Sequence, residues 1–426
     1  MSWRALGGGL FWAGVLQLQF TAMAEVVNAP AKVVTTGPEI EPVNALESPR
    51  QGFAERVSLF PEKEPTVTWL KFGNLLLSPT YSQSAMYDDN VVGQTADKQK
   101  QDFQLNYSPR LALRYGPTRD FTFEGAYSFG WHDYASHVAP HYLTHDGQGT
   151  LNWSRVGVDG LSLRFDGSYQ QTGNTGVLEK DFVAFNRLHA YDFGPTLAYR
   201  LSKLAVVLSY LYSATHYFQH RNVVNDFAST AATALLSYRL TERGLAAFAT
   251  YSEKPTQTAR SPGDFHTQEA RAGLQGTYRR LEFSFAVGAN SVSYAEPSLS
   301  AKTRPGASAG LRYVPNRVIS CGLSADHAFV TGALTGTSTN TVINGVVVLD
   351  PTMADRITLT TSWQDESFET LRRDTLVYDV RYNRALTRNM KLLAQVRRTA
   401  QDTAQEQTPR QDVKITTAMI GLTFGF

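Results

Sequence analysis

From Gly73 to the last residue, apolar and polar positions alternate in runs of about ten residues. Leu105, Tyr107, Pro109, Leu111, Leu113 and Tyr115 are separated by Asn106, Ser108, Arg110, Ala112 and Arg114. Phe121, Phe123, Tyr127, Phe129 and Trp131 alternate with a set that includes Thr122, Glu124, Ser128 and His132. The same holds for Leu161, Leu163, Phe165 and Tyr169 against Ser162, Arg164, Asp166 and Gln170, and for Leu281, Phe283, Phe285 and Val287 against Glu282, Ser284 and Gly288. Successive strand side chains point to opposite faces, so each run has one greasy and one wet face. Outward-running strands are expected to begin near 74, 121, 161, 204, 245, 281, 317, 356 and 390. Returning strands are expected to end near 115, 156, 200, 240, 279, 314, 349, 386 and 426. The pattern predicts about 18 strands. The segment 331–355, with Val346, Val347 and Val348, is the place where 16 is the alternative, because it reads either as a strand or as part of a distal hairpin.

A soluble sandwich also alternates, but three features favour a barrel in lipid. Tyrosine recurs at the ends of the runs, at Tyr115, Tyr199, Tyr238, Tyr278, Tyr313 and Tyr382, with Trp153 in the same slot, and each tyrosine has an arginine beside it. Most neighbours in this series are about forty residues apart, the length of one transmembrane hairpin, and the aromatics would form an interface girdle. Connections are expected to alternate in length, short at sites such as 116–119, 202–203 and 315–316, longer near 88–101, 135–142, 173–186, 255–265, 295–302 and 402–410. Short periplasmic turns with longer extracellular loops are the barrel pattern. Finally, Ala418, Ile420, Leu422, Phe424 and Phe426 form an apolar stripe at the C-terminus. The stripe resembles the assembly signal by which Gram-negative outer-membrane barrels reach the barrel-assembly machinery, and closure with this strand would remove exposed edges from lipid. The expected fold is therefore all-β, a single closed antiparallel transmembrane β-barrel over 73–426.

The N-terminus differs. Arg4, an apolar stretch from Ala5 to Phe20, and Ala22-Met23-Ala24 read as a signal peptide over 1–24, cleaved near Ala24. Residues 25–72 carry Pro30, Pro38, Pro42, Pro49, Pro61 and Pro65 without alternation. They are expected to form a largely disordered periplasmic arm. Beyond the N-terminus no window of about twenty apolar residues occurs, which argues against helical spans. The formal net charge of +2 argues against a nucleic-acid partner, and the single Cys321 leaves no internal disulfide.

If the tyrosines face lipid, their neighbours face inward. This assigns Arg110, Arg114, Arg164, Arg200, Arg239, Arg271, Arg312, Arg356, Arg381 and Arg397 to the lumen, with Glu124, Asp166, Glu282 and Asp379, and also Asp192 and Glu269, as acidic counterparts. An arginine on the lipid face near the midplane costs about 2–4 kcal/mol, which drives mid-strand arginines inward. Two readings of this lining stand side by side. A mildly cationic lumen would favour anions, whereas pairing with carboxylates would only stiffen the wall. A segment at 173–186, with Phe182 and Phe185, could constrict the lumen or lie at the surface. His132, His137, His141 and His145 are expected to cluster at one extracellular loop, and His189, His216, His220, His266 and His327 also fall toward extracellular ends. Their spacing selects no metal site, and no cofactor is implied. No motif for a nucleophile, metal base or phosphate loop is present, so no enzyme activity is expected.

Tyr87-Asp88-Asp89-Asn90-Val91, at the end of the first long strand, carries no EF-hand spacing. It is similar to a hallmark of an outer-membrane porin family of the beta-barrel porin 2 type. The resemblance implies an outer-membrane barrel, with some members tied to exopolysaccharide or surface assembly. The expected function is passive passage of small hydrophilic solutes, possible anion bias included. The alternatives are a component of exopolysaccharide export or surface assembly, and a plugged structural or adhesin barrel. The expected partners are outer-membrane lipid and lipopolysaccharide, the barrel-assembly machinery and the solute itself; the oligomeric state stays open.

Overall fold

A computed structural model of the chain describes residues 70–90, 100–118, 120–136, 141–154, 160–174, 186–217, 226–241, 244–258, 263–297, 299–332, 336–367, 371–405 and 408–425. The expected signal peptide, most of the proline-rich arm, Phe182 and Phe185, His137, His220 and Phe426 lie outside them. The strands are β1 (Leu70–Phe72), β2 (Leu75–Asp88), β3 (Asp102–Tyr115), β4 (Phe121–Tyr134), β5 (Tyr142–Ser154), β6 (Leu161–Asn174) and β7 (Asn186–Leu201). They continue as β8 (Leu204–Tyr217), β9 (Phe227–Arg239), β10 (Ala246–Thr258), β11 (Phe265–Tyr278), β12 (Leu281–Tyr294) and β13 (Lys302–Tyr313). The last are β14 (Ile319–Gly332), β15 (Gly336–Leu349), β16 (Asp355–Ser367), β17 (Leu371–Ala385), β18 (Met390–Gln405) and β19 (Thr408–Gly425).

Each strand from β2 to β19 pairs antiparallel with its sequence neighbour, and β19 pairs back onto β2, so eighteen strands close a ring. The doubtful segment is a full strand. β15 pairs with β14 from Ile319↔Leu349 to Gly332↔Gly336 and with β16 from Thr339↔Ser367 to Leu349↔Ile357. β1 is an extra piece folded back on β2 through Gly73-Asn74, where Gly73 adopts φ 62°, a left-handed turn that favours glycine. Leu70–Phe72, counted with the arm in the sequence, therefore belongs to the sheet.

The alternation sets which way each side chain points. Tyr115, Trp153, Tyr199, Tyr238, Tyr278 and Tyr313 are large, exposed and on one face, together with Leu111, Phe165, Leu197, Leu208, Leu274, Phe285, Leu311, Val396 and Ile420. In water each such side chain forfeits about 1.5–3 kcal/mol that burial would recover, so a continuous apolar belt on the outside of a ring calls for lipid. Leu349 stands where the girdle lacks an aromatic, paired between Ile319 and Ile357. Tyr382 is half-buried, and its hydroxyl donates to Asp355 Oδ1 at 2.6 Å.

Two sequence expectations are corrected. The connections do not alternate strictly in length. β14 to β15, β16 to β17 and β18 to β19 are joined by short links at both ends, and 402–410 is mostly strand. Pairing of Asp402↔Asp412 and Gln405↔Thr408 shows why: the polar residues there continue the ladder instead of leaving it. Nor are all mid-strand arginines inward. Arg398 is exposed and shares the outer face with Tyr378, its partner on β17. Its long stem lets the guanidinium reach toward the interface while the backbone stays in register.

The described part of the motif, Tyr87–Asn90, has a structural role at the seam. Asp89 Oδ1 accepts from Thr416 N at 2.6 Å, and Asn90 Nδ2 donates to the Lys414 carbonyl at 3.0 Å. Asp88 Oδ1 accepts from Asn90 N at 2.9 Å, which shapes the turn. The end of the first ring strand is thus stapled to the last.

Candidate solute pathway

On every strand the residues between the girdle positions share the inner face. This includes Arg110, Arg114, Arg164, Arg200, Arg239, Arg271, Arg312, Arg356, Arg381 and Arg397, and also Glu124, Asp166, Glu282 and Asp379. The register brings many of them together as ion pairs. Arg114 Nε lies 3.1 Å from Glu124 Oε1, its direct partner on β4. Arg164 Nε lies 2.8 Å from Asp166 Oδ2, and Thr150 donates to the same carboxylate at 2.8 Å. Arg312 Nη1 donates to both Glu282 oxygens, at 3.2 and 3.0 Å. Arg356 forms a two-pronged pair with Asp350 at 2.7 and 2.9 Å. Gln395 Nε2 donates to Asp379.

Arg271 makes the longest reach. It pairs with Glu269 on its own strand and, at 2.6 Å, with Asp326 on β14, across the two intervening strands β12 and β13. The inner-face residues between them are Gly288 on β12 and Gly306 on β13. A side chain at Gly288 would run into the Ala270 carbonyl, so β11 and β12 approach there as only glycine permits. The missing side chains leave the guanidinium a flat bed, and the Arg271 side chain is 9% exposed.

Arg373, Glu366, Ser338 and Asp146 on the inner face escaped the sequence reading, whereas Ser128 and His132 already stood on the polar side of their run. Arg373 meets Glu366 at 3.4 Å, and Ser338 donates to Glu366 at 2.9 Å. Asp146 lies with Arg110, Ser128 and Gln148 around a recess of about 180 Å³. His132 stacks on Tyr142 (4.5 Å between centroids, 10°) and bonds Asn106 Oδ1 at 2.6 Å and Thr144 Oγ1 at 3.0 Å. Parity from the nearest girdle aromatic would have found all of these. His132 and His145 lie within β4 and β5 and not in one extracellular loop, and parity separates them: His132 points inward and His145 outward. Among the described residues no three His, Cys, Asp or Glu side chains form a metal site.

The charges are unevenly distributed. Arg200 stands opposite Ala205, and Ala205 opposite Ser237, two positions from Arg239. Both arginines are exposed at the girdle end of the wall, and among the described residues neither has a carboxylate within ion-pair range. The wall above them is apolar, with Val207, Leu211 and Leu235 on the inner face.

No protein-family model matches the chain, and no curated protein matches it in sequence. Among solved structures it is similar to OccK2 (OpdF) of Pseudomonas aeruginosa in complex with glucuronate, at 10% identity and TM-score 0.47, covering 83% of this chain and 98% of that one. It is also similar to the siderophore receptor PirA of Pseudomonas aeruginosa, at 10% identity and TM-score 0.45, covering 82% and 80%. At these values nothing about function passes from those proteins to this chain. The barrel stands on its own strand pairing.

Proposed function

We propose that the protein is a porin-like channel of a Gram-negative outer membrane that passes small hydrophilic solutes, with a weak preference for anions. The observation that carries this reading is the two-faced ring: eighteen strands turn arginines, carboxylates and amides inward and large hydrophobics outward. Rings of 16–18 strands of this kind leave room for an aqueous channel. The paired arginines largely cancel in the field they project. The anion preference rests on Arg200 and Arg239, whose charge at one mouth raises the local anion concentration. The outward stripe of Ala418, Ile420, Leu422 and Phe424 on the closing strand supports delivery by the barrel-assembly machinery.

Liposome swelling tests the reading. Vesicles carrying the purified barrel are expected to swell in small neutral sugars, and faster in a monocarboxylate of similar size. Vesicles that hold their volume in every solute would sink the channel reading.

A further inference from the structure

One stretch of the inner wall is left unbonded. On β3 to β5, Arg110 stands opposite Ser128, and Ser128 opposite Asp146. The next inward row toward the girdle is Ala112, Ala126 and Gln148. Side-chain bonds close the wall around these two rows. On the girdle side Arg114 holds Glu124 at 3.1 Å, and beside them Asp166 takes Arg164 and Thr150, each at 2.8 Å. On the far side His132 bonds Asn106 and Thr144, and Gln104 donates to Tyr142 Oη at 3.0 Å. Between these, Arg110, Ser128, Asp146 and Gln148 make no side-chain hydrogen bond or ion pair with any described residue.

Arg110 and Asp146 also stay outside ion-pair range of each other. Their backbones lie two strand spacings apart, about 10 Å. Ser128 and Ala126, which stand between them, are too short to fill the gap or to bridge the charges. The recess of about 180 Å³ is the space that results. It has a cation on one rim and a carboxylate on the other, with a hydroxyl and an amide alongside. Depth places it inside the channel. Arg110 lies five residues from Tyr115 on β3, and Asp146 seven from Trp153 on β5. At about 3.3 Å per residue and a tilt of about 40°, they stand about 13 and 18 Å beyond the girdle, within an apolar band about 25 Å tall.

Opposite charges held apart in this way are not answered by a simple ion, because whichever ion suits one rim is repelled by the other. A neutral polyol leaves both charges without a counterion. A solute that carries a carboxylate and an ammonium on one carbon answers both. The guanidinium offers a fork of N–H donors to the carboxylate, and the Asp146 oxygens accept from the ammonium. At about 30 Å³ per water the recess displaces about six waters, the bulk of a small amino acid. We propose that Arg110 and Asp146, with Ser128 and Gln148, form a lumen subsite for small zwitterionic α-amino acids, the carboxylate on Arg110 and the ammonium on Asp146. The proposal deepens the channel reading, on which it rests for its solute.

The test uses the full chain in phosphatidylcholine nanodiscs and reads binding of L-alanine, propionate and ethylamine by saturation-transfer NMR. Current through planar bilayers is recorded in parallel. L-Alanine is expected to bind at least about tenfold more tightly than either singly charged analogue. Arg110→Gln is expected to remove its advantage over ethylamine, and Asp146→Asn its advantage over propionate. Both side chains are exposed and bond no described residue, so these variants leave the cross-links of the wall in place. Ala126→Leu keeps both charges and fills the space between them, and it is expected to weaken L-alanine binding about tenfold. Selective binding without current would sink the channel reading and leave the subsite standing. Current with equal affinity for the three solutes would leave the channel and overturn the subsite, as would an alanine preference that survives both charge-removing variants.

Discussion

The inner wall of β11 to β17 and the inner wall of β7 to β9 use the same residue types to opposite ends. On the first, Arg271, Arg312, Arg356 and Arg373 each meet a carboxylate. On the second, Arg200 and Arg239 stand exposed near one mouth below Val207, Leu211 and Leu235. Arginine number therefore says little about the field inside the barrel. Pairing across adjacent strands converts charge into mechanical cross-links, and the field comes from the cations left outside those pairs.

The largest effect is expected where a pair is broken on one side. Arg271→Met leaves Glu269 and Asp326 without their shared cation, with half of Asp326 in solvent. A loss of about 2–3 kcal/mol in urea unfolding is expected, below the full value for a buried pair because the acids are partly exposed. Adding Asp326→Asn is expected to return part of it. Next comes the seam: Asn90→Ala removes a donor from the Lys414 carbonyl and is expected to cost about 1–2 kcal/mol, read as faster amide exchange between β2 and β19. Selectivity separates the two walls. Arg200→Glu with Arg239→Glu is expected to reverse the ion preference, whereas neutralising Arg312 and Glu282 together is expected to leave it nearly unchanged; the reversal potential measures both. The smallest effect is Leu349→Trp, which fills the vacant girdle slot and is expected to stay within about 0.5 kcal/mol by the same unfolding measurement.

Most of the barrel was legible in the chain because a period of two leaves little freedom. Once Tyr115 or Tyr313 faces out, Arg114 and Arg312 must face in, and the strand starts near 121, 161, 204, 281 and 390 follow. What failed was legible only in three dimensions. The link near 402–410 looked like a loop because it is polar, yet those residues pair across β18 and β19. Arg271 gave no sign that its partner lay on β14, since the path depends on Gly288 and Gly306 lying flat between them. The histidines looked like one cluster because sequence spacing hides that even and odd positions of β4 and β5 face opposite sides. Asp88-Asp89-Asn90 offered only a family resemblance in the sequence, and in the fold its side chains close the ring.

The central claim is that the two-faced ring encloses a water-filled path whose ion preference is set at the Arg200 and Arg239 mouth. Single-channel recording in planar bilayers across a salt gradient tests it most directly. The expected result is stepwise current with a reversal potential on the anion side, moved toward zero by Arg200→Gln with Arg239→Gln. No current at any voltage, or a reversal potential that ignores both arginines, would contradict it.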